Sequence, residues 1–216
     1  MSNDDRQIAV TFDLFGTLVS TTRPEDPAGA VAEELRAREV SVPDNWCELY
    51  ATPHVEIEPG MELPLPDHVR AALEEVGAEY GGEDVVTAAV RAAFDRRAEL
   101  RDGATEAIDA ANEYGRVGVL SNCSVPGLVE RTLERVELGD RFDAVLASVD
   151  VGYRKPDPRA FEAAADRLGV DPTALVHVGD DPETDGGIEE IGGTPILLGD
   201  VPLSAVPTRL SEVQSR

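Results

Sequence analysis

An α/β fold, a parallel sheet with helices on both faces, is predicted by two features of this 216-residue chain. Five short apolar runs rich in β-branched residues recur along it, and helical patterns separate most of them. A third observation supports it, since 42% hydrophobic residues at this length can bury a sizeable core. The runs lie at 8–12, 117–120, 144–147, 175–178 and 195–198, each short enough for a buried strand. Between them come "GATEAIDAANEYG", "PGLVERTLERVELG", "DPRAFEAAADRLG" and "DGGIEEIGG", several closed by the glycine expected just past a helix end.

One interval breaks the alternation. From 20 to 100 no strand is expected, only helices at about 28–38, 67–76 and 83–100 around a proline-rich middle, "ATPHVEIEPGMELPLPDH". This divides the chain into a core, residues 1–19 and 101–216, and a helical insertion, residues 20–100, placed as a lid over the sheet's active edge. Within it, Trp46 and Tyr50 read as packing residues. The tail after Asp200 has little pattern, leaving a short helix or a poorly ordered end.

The net charge of −24 argues against nucleic acid or an anionic membrane surface as a partner. Lys155 is the only lysine among 19 basic residues. Scarce lysine beside abundant Asp, Glu and Arg reads as adaptation to high salt; a GC-rich genome explains the arginines but less easily the size of the charge. Cys47 and Cys123 lie far apart, which suggests neither a disulfide framework nor a thiolate zinc site. The polar "MSNDDRQ" start has no basic or apolar leader pattern, and a cytoplasmic location is expected.

In a parallel sheet, ligands bind beyond the carboxyl ends of the strands. The first run is followed by "FDLFGTLVS", which puts Asp13 at its tip and makes a tight turn of Gly16 and Thr17. The second ends in Ser121 and Asn122, and Lys155 follows the third after a short loop. The fourth ends in "GDDPETDGG", with Asp180, Asp181 and Asp185 beyond its tip. A carboxylate there can attack phosphorus and split one hard hydrolysis into two easier steps. Clustered carboxylates that must admit a phosphate call for a divalent cation, and Mg²⁺ suits a few carboxylates with waters and substrate oxygens. A hydroxyl and an ammonium would complete the charge neutralisation that phosphoryl transfer requires.

In these residues the chain resembles the haloacid dehalogenase superfamily of hydrolases, whose four signatures occur in order over nearly its whole length. The resemblance implies a Rossmann-like, doubly wound core with a helical cap inserted after the first signature. It implies Asp13 as nucleophile and Lys155 as the catalytic ammonium that also contacts phosphate, with Thr17, Ser121 and Asn122 on the phosphate side. It further implies a Mg²⁺ site made of Asp13, the backbone carbonyl of Phe15, Asp180 and Asp185. A small phosphorylated metabolite is the implied substrate, cleaved through an aspartyl-phosphate.

One position departs from the pattern. Phosphatases of this family usually carry a second Asp two residues after the nucleophile as general acid/base, and here Phe15 stands there. Either the leaving group needs little protonation or an acid comes from the insertion, where His54, Glu56, Glu58 and His68 are available. Two other readings use the same residues. The family's 2-haloacid dehalogenases also lack the second Asp and use no metal, but an intact "GDDPETD" disfavours an anionic haloacid with no cation present. A phosphometabolite-binding module without turnover is supported by Phe15 alone.

Overall fold

The computed structural model describes residues 8–199 and 201–215, so the N-terminal segment on which the leader expectation rested lies outside it. The chain runs β1 (Ala9–Phe12), β2 (Val19–Thr21), α1 (Pro27–Arg36), α2 (Trp46–Ala51), α3 (Leu65–Glu75), α4 (Glu83–Phe94), β3 (Ala98–Leu100), α5 (Ala104–Tyr114) and β4 (Val117–Ser121). It continues through α6 (Leu128–Arg135), β5 (Ala144–Ala147), α7 (Ser148–Val151), α8 (Pro158–Leu168), β6 (Leu175–Gly179), α9 (Pro182–Asp185), β7 (Thr194–Leu197) and α10 (Val206–Gln214). Each of the five expected strands is present within a residue of its expected bounds.

Those strands form one parallel sheet in the order β5-β4-β1-β6-β7. Side chains alternate across it, as the two-residue period of a strand requires. Val10, Phe12, Val119 and Val178 join a cluster with Ile108, Leu133 and Leu210 from α5, α6 and α10. Ala9, Leu120, Leu146 and Leu175 join a second cluster with Phe161 and Leu168 of α8. Both faces are therefore covered, which explains why β1, β4 and β6 are buried throughout. The chain after β1 builds toward β4 and β5 and then crosses back to β6 and β7, so the strand order reverses beside β1. That reversal opens the crevice where α/β sheets hold ligands.

The interval 20–100 differs from its expected form in three places. The last helix stops at Phe94 instead of reaching residue 100, and Ala98–Leu100 pairs antiparallel with Val19–Thr21. Three-residue strands are too short to show a period, and their pairing partner is about eighty positions away, so local pattern carried no sign of them. A short helix, α2, was also unforeseen; the indole of its buried Trp46 donates to the Ala28 carbonyl at 2.8 Å. Finally, the proline-rich middle is ordered against the core. Glu62 N–H donates to the Gly152 carbonyl at 3.0 Å, Leu65 N–H to that of Ser124 at 2.7 Å, and Arg154 N–H to that of Gly60 at 3.0 Å. The Ser148 hydroxyl donates to the Glu62 carboxylate, which is buried. The helices α1–α4 are thus attached at the β2–β3 ribbon and again along the strap 60–65.

The tail forms α10, which buries Val206 and Leu210. Cys47 is exposed and Cys123 buried, and neither is in a disulfide. No helix among the described residues is long and apolar enough to cross a membrane.

Candidate active site

Asp13 leaves β1 at the centre of the sheet, its backbone N–H still donating to the Val178 carbonyl at 2.9 Å. Asp13, Phe15, Ser121, Asn122, Lys155, Asp180 and Asp185 all line one cleft of about 260 Å³. Arg23, Arg154, Asp181 and Thr184 complete its walls. Larger hollows of about 320 Å³ between β7 and α10 and about 500 Å³ along β5 and α8 bring no comparable set together. Size alone does not locate the chemistry.

Lys155 is the hub. Its side chain is 2% exposed, and Nζ donates to Asp13 Oδ1 at 3.0 Å and to Asp185 Oδ1 at 2.6 Å. A buried ammonium between two carboxylates is strongly favoured to stay paired. Burial pushes the Asp13 carboxyl above its ordinary pKa, opposed by the Lys155 charge and reinforced by that of Asp185. Burial acts upward on Asp185 as well, but the hydrogen bond from His177 and the Lys155 charge hold it well below the carboxylate range. Asp185 is therefore ionised and accepts hydrogen bonds only.

Thr17, Asn122 and Asp185, expected to face phosphate or metal, have their side-chain polar atoms engaged within the protein. Thr17 is fully buried, and its hydroxyl donates to Asp180 Oδ1 at 2.8 Å, so it braces that carboxylate rather than facing the cleft. The Asn122 carboxamide is spent on the Lys155 backbone, Nδ2 donating to its carbonyl and Oδ1 accepting from its N–H, both at 2.8 Å. It positions Lys155. Asp185, expected among the metal ligands, has Oδ1 occupied by Lys155 and His177, while Oδ2 accepts the Asp181 N–H at 2.9 Å. Its geometry serves Lys155 and the Asp180–Asp181 loop, not an open ligand position.

The remaining oxygens suit a hard cation. The turn after Asp13 closes with Val19 N–H on the Leu14 carbonyl and Gly16 N–H on the Val19 carbonyl, which leaves the Phe15 carbonyl out of both bonds. Gly16 has φ of 97°, and a Cβ there would lie 2.6 Å from Asp180, so only glycine lets turn and carboxylate approach. Among the described residues no three side chains converge as a metal cage. Two carboxylates, Asp13 and Asp180, plus one carbonyl are the sparse oxygen set that Mg²⁺ takes when waters and a phosphate fill its other positions.

Several residues here had gone unnoticed in the sequence. His177 sits within an apolar strand, fully buried, with Nε2 3.0 Å from Asp185 Oδ1 and Nδ1 2.9 Å from the Thr11 hydroxyl. Thr11 and His177 face each other in the β1–β6 register, and Phe161 packs edge-on against the imidazole at 5.3 Å. The signal was a titratable residue inside "LVHVG", which the apolar pattern absorbed. Arg23 and Arg154 are two among many arginines and carried no signal. The candidate acids of the insertion fare differently: His54 and His68 each bond a backbone carbonyl at 2.8 Å, of Leu49 and Tyr50, and neither lines the cleft. Glu56 and Glu58 do not line it either.

Burial and the Lys155 charge press the His177 pKa from its ordinary 6.5 to about 4. An unfolded chain binds this proton below pH 6.5 while the native one refuses it until about 4, so stability falls as pH drops through that window. The contribution amounts to about 3 kcal/mol. Urea unfolding at pH 7 and pH 4.5 is expected to show the loss, and His177→Gln is expected to flatten it.

The chain matches the family described as haloacid dehalogenase-like hydrolase over residues 9–188. It is 40% identical over 179 residues to a phosphatase of Mycobacterium tuberculosis, covering 80% of this chain and 78% of that one. It is 35% identical over 138 residues to a phosphoserine phosphatase of Thermus thermophilus, covering 63% of this chain but only about half, 55%, of that enzyme. Among solved structures, the 2-haloacid dehalogenase of Pseudomonas syringae superposes with a TM-score of 0.66 at 21% identity, covering 95% of this chain and 99% of that one. CbbY of Rhodobacter sphaeroides, solved with phosphate, gives 0.58 at 22%, covering 88% and 84%. At such identities the structures speak for the fold alone. With the family matched from β1 to beyond Asp185 and Asp13 and Lys155 paired at the sheet's carboxyl edge, this chain belongs to the haloacid dehalogenase-like hydrolases.

Proposed function

We propose that the protein is a Mg²⁺-dependent phosphatase of small phosphorylated metabolites that works through an aspartyl-phosphate on Asp13. The observation that carries this reading is Lys155 held between Asp13 and Asp185 while Asp180 opens on the same cleft. Asp13 Oδ1 is anchored to Lys155, and the carboxylate attacks phosphorus through its other oxygen as the bond to the leaving oxygen breaks. The Ser121 hydroxyl and a Lys155 N–H receive the phosphoryl oxygens, and water then hydrolyses the acyl phosphate to restore Asp13. A Mg²⁺ ion held by Asp13, Asp180 and the Phe15 carbonyl would neutralise phosphate charge.

Phe15 lines the cleft and cannot move a proton. The leaving oxygen therefore takes its proton from solvent, which favours esters whose alcohol departs easily as an anion. The helices α1–α4, tied by the β2–β3 ribbon and the strap 60–65, would act as the cap that closes over the substrate, with Arg23 of the β2–α1 connection in the cleft wall. The small, anionic cleft and the net charge of −24 are consistent with a phosphorylated metabolite brought in with its cation, and with a protein adapted to salt.

The test is hydrolysis of p-nitrophenyl phosphate and a panel of phosphorylated metabolites with Mg²⁺, at low and high salt, and again with EDTA. Phosphate release that EDTA abolishes supports the reading. Chelator-insensitive turnover together with halide release from a 2-haloacid would replace it with a dehalogenase. In the same assay Phe15→Asp is expected to raise the rate on alkyl phosphates more than on p-nitrophenyl phosphate, because only the former lack a good leaving group.

A further inference from the structure

One buried titratable group has no part in the chemistry above. His177 does not line the cleft, yet it touches the ammonium of Lys155 itself and one of the two carboxylates that hold it, Asp185. Asp185 accepts hydrogen bonds only, so the 3.0 Å contact between its Oδ1 and His177 Nε2 requires the proton on Nε2. The other ring nitrogen then accepts from the Thr11 hydroxyl at 2.9 Å, a bond shorter than that hydroxyl's alternative at 3.4 Å to the Val176 carbonyl. One tautomer thus satisfies both nitrogens in a site with no water-exposed surface.

This has a consequence for Lys155. Its Nζ lies 3.3 Å from His177 Nε2, close enough to donate if that nitrogen were bare. In the opposite tautomer the imidazole would take the third N–H of Lys155 and set a lone pair against the Asp185 carboxylate. With Nε2 protonated, Lys155 spends two N–H groups on Asp13 and Asp185 and keeps its third. We propose that His177 is a positioning residue whose Nε2–H clamps Asp185 and whose tautomer keeps one Lys155 N–H free for the transferring phosphoryl group. The role assigned to that N–H rests on the phosphatase reading; the tautomer and the clamp do not.

The charged and titratable partners facing His177 are Lys155 from the α7–α8 loop and Asp185 from α9, with Thr11 of β1 and Phe161 of α8 on its other sides. Gly179 makes the approach possible, because a Cβ there would lie 2.1 Å from the Asp185 carboxylate. Fixing a ligand's or catalytic group's partner through a second hydrogen bond typically governs activity by 10–100-fold.

Two measurements test this. Nitrogen NMR of the whole protein labelled at histidine, at neutral pH and without substrate, reads the tautomer directly; three histidines make assignment by single substitution straightforward. A protonated Nε2 beside a bare Nδ1 for His177 is expected, and a protonated Nδ1, alone or with Nε2, overturns the proposal. In kinetics, His177→Leu is expected to lower kcat by roughly 10–100-fold with KM changed little, while His177→Gln, whose amide can still donate to Asp185, recovers most of it. Leucine and glutamine variants with equal kcat would also overturn it. If the leucine variant does not fold, the glutamine variant and the wild-type spectrum still decide. If wild-type protein hydrolyses no phosphate ester, the phosphatase reading fails, and the spectrum alone then judges the tautomer.

Discussion

Asp13→Asn is expected to lower kcat by on the order of 10⁴-fold or more, because it removes the charged oxygen proposed to attack phosphorus. Asparagine keeps the shape and can still accept from Lys155, but its neutral oxygen does not attack phosphorus. The fold is expected to survive. Burial and the neighbouring Asp185 both raise the native pKa of Asp13, which means the folded protein tolerates its charge less well than water does. Its stabilising share is therefore present below the unfolded pKa and is lost as pH rises through the folded one. At neutral pH the asparagine variant is therefore expected to unfold at the same or a higher urea concentration than the wild type. Stopped-assay kinetics and urea titration measure the two effects separately. Wild-type turnover in Asp13→Asn would rule out a covalent aspartyl-phosphate.

Lys155→Met carries the second large effect, on folding as well as on rate. Methionine matches the length of the lysine stem but leaves Asp13 and Asp185 facing each other across a buried gap with no cation between them. Removing one partner of a buried pair typically costs about 3–5 kcal/mol. The deficit is expected to shrink as pH falls, since protonating a carboxyl relieves the repulsion, so the urea midpoints of variant and wild type should converge in acid. Lys155→Arg separates charge from shape. The guanidinium keeps the charge but is larger, planar and unable to place three donors around one nitrogen. In a site 2% exposed it is expected to lower kcat by about 10²-fold, the scale of losing one oxyanion donor. Full activity in Lys155→Arg would mean that the lone lysine of this chain is an accident of composition.

The five core strands were legible in the sequence because each is a short, largely apolar run, as the central strands β1, β4 and β6, buried on both faces, require. The residues at their tips were legible for the same reason, since placing the strands also placed Asp13, Ser121, Lys155 and Asp180. The ribbon of Val19–Thr21 with Ala98–Leu100 was not, because two three-residue strands far apart in the chain are stabilised only by each other. The strap 60–65 falls in the proline-rich middle of the insertion, where local pattern carries no sign of order. Its order comes from backbone bonds to residues 124, 152 and 154, whose positions the core fixes.

Sequence alone therefore determined the sheet, the family, and which carboxylates, hydroxyl and ammonium could meet, since these depend on local pattern and on the order of strands. Only the tertiary structure decided what each side chain does once there. The Thr17 hydroxyl bonds Asp180, the Asn122 carboxamide bonds the Lys155 backbone, and Asp185 accepts from the Lys155 ammonium. His177, which the apolar pattern of its strand had hidden, became a hydrogen-bonded partner of that same carboxylate. The physical reason is that a buried polar group must find its partner within about 3 Å. Which group stands at that distance is set by strands that lie far apart in the chain.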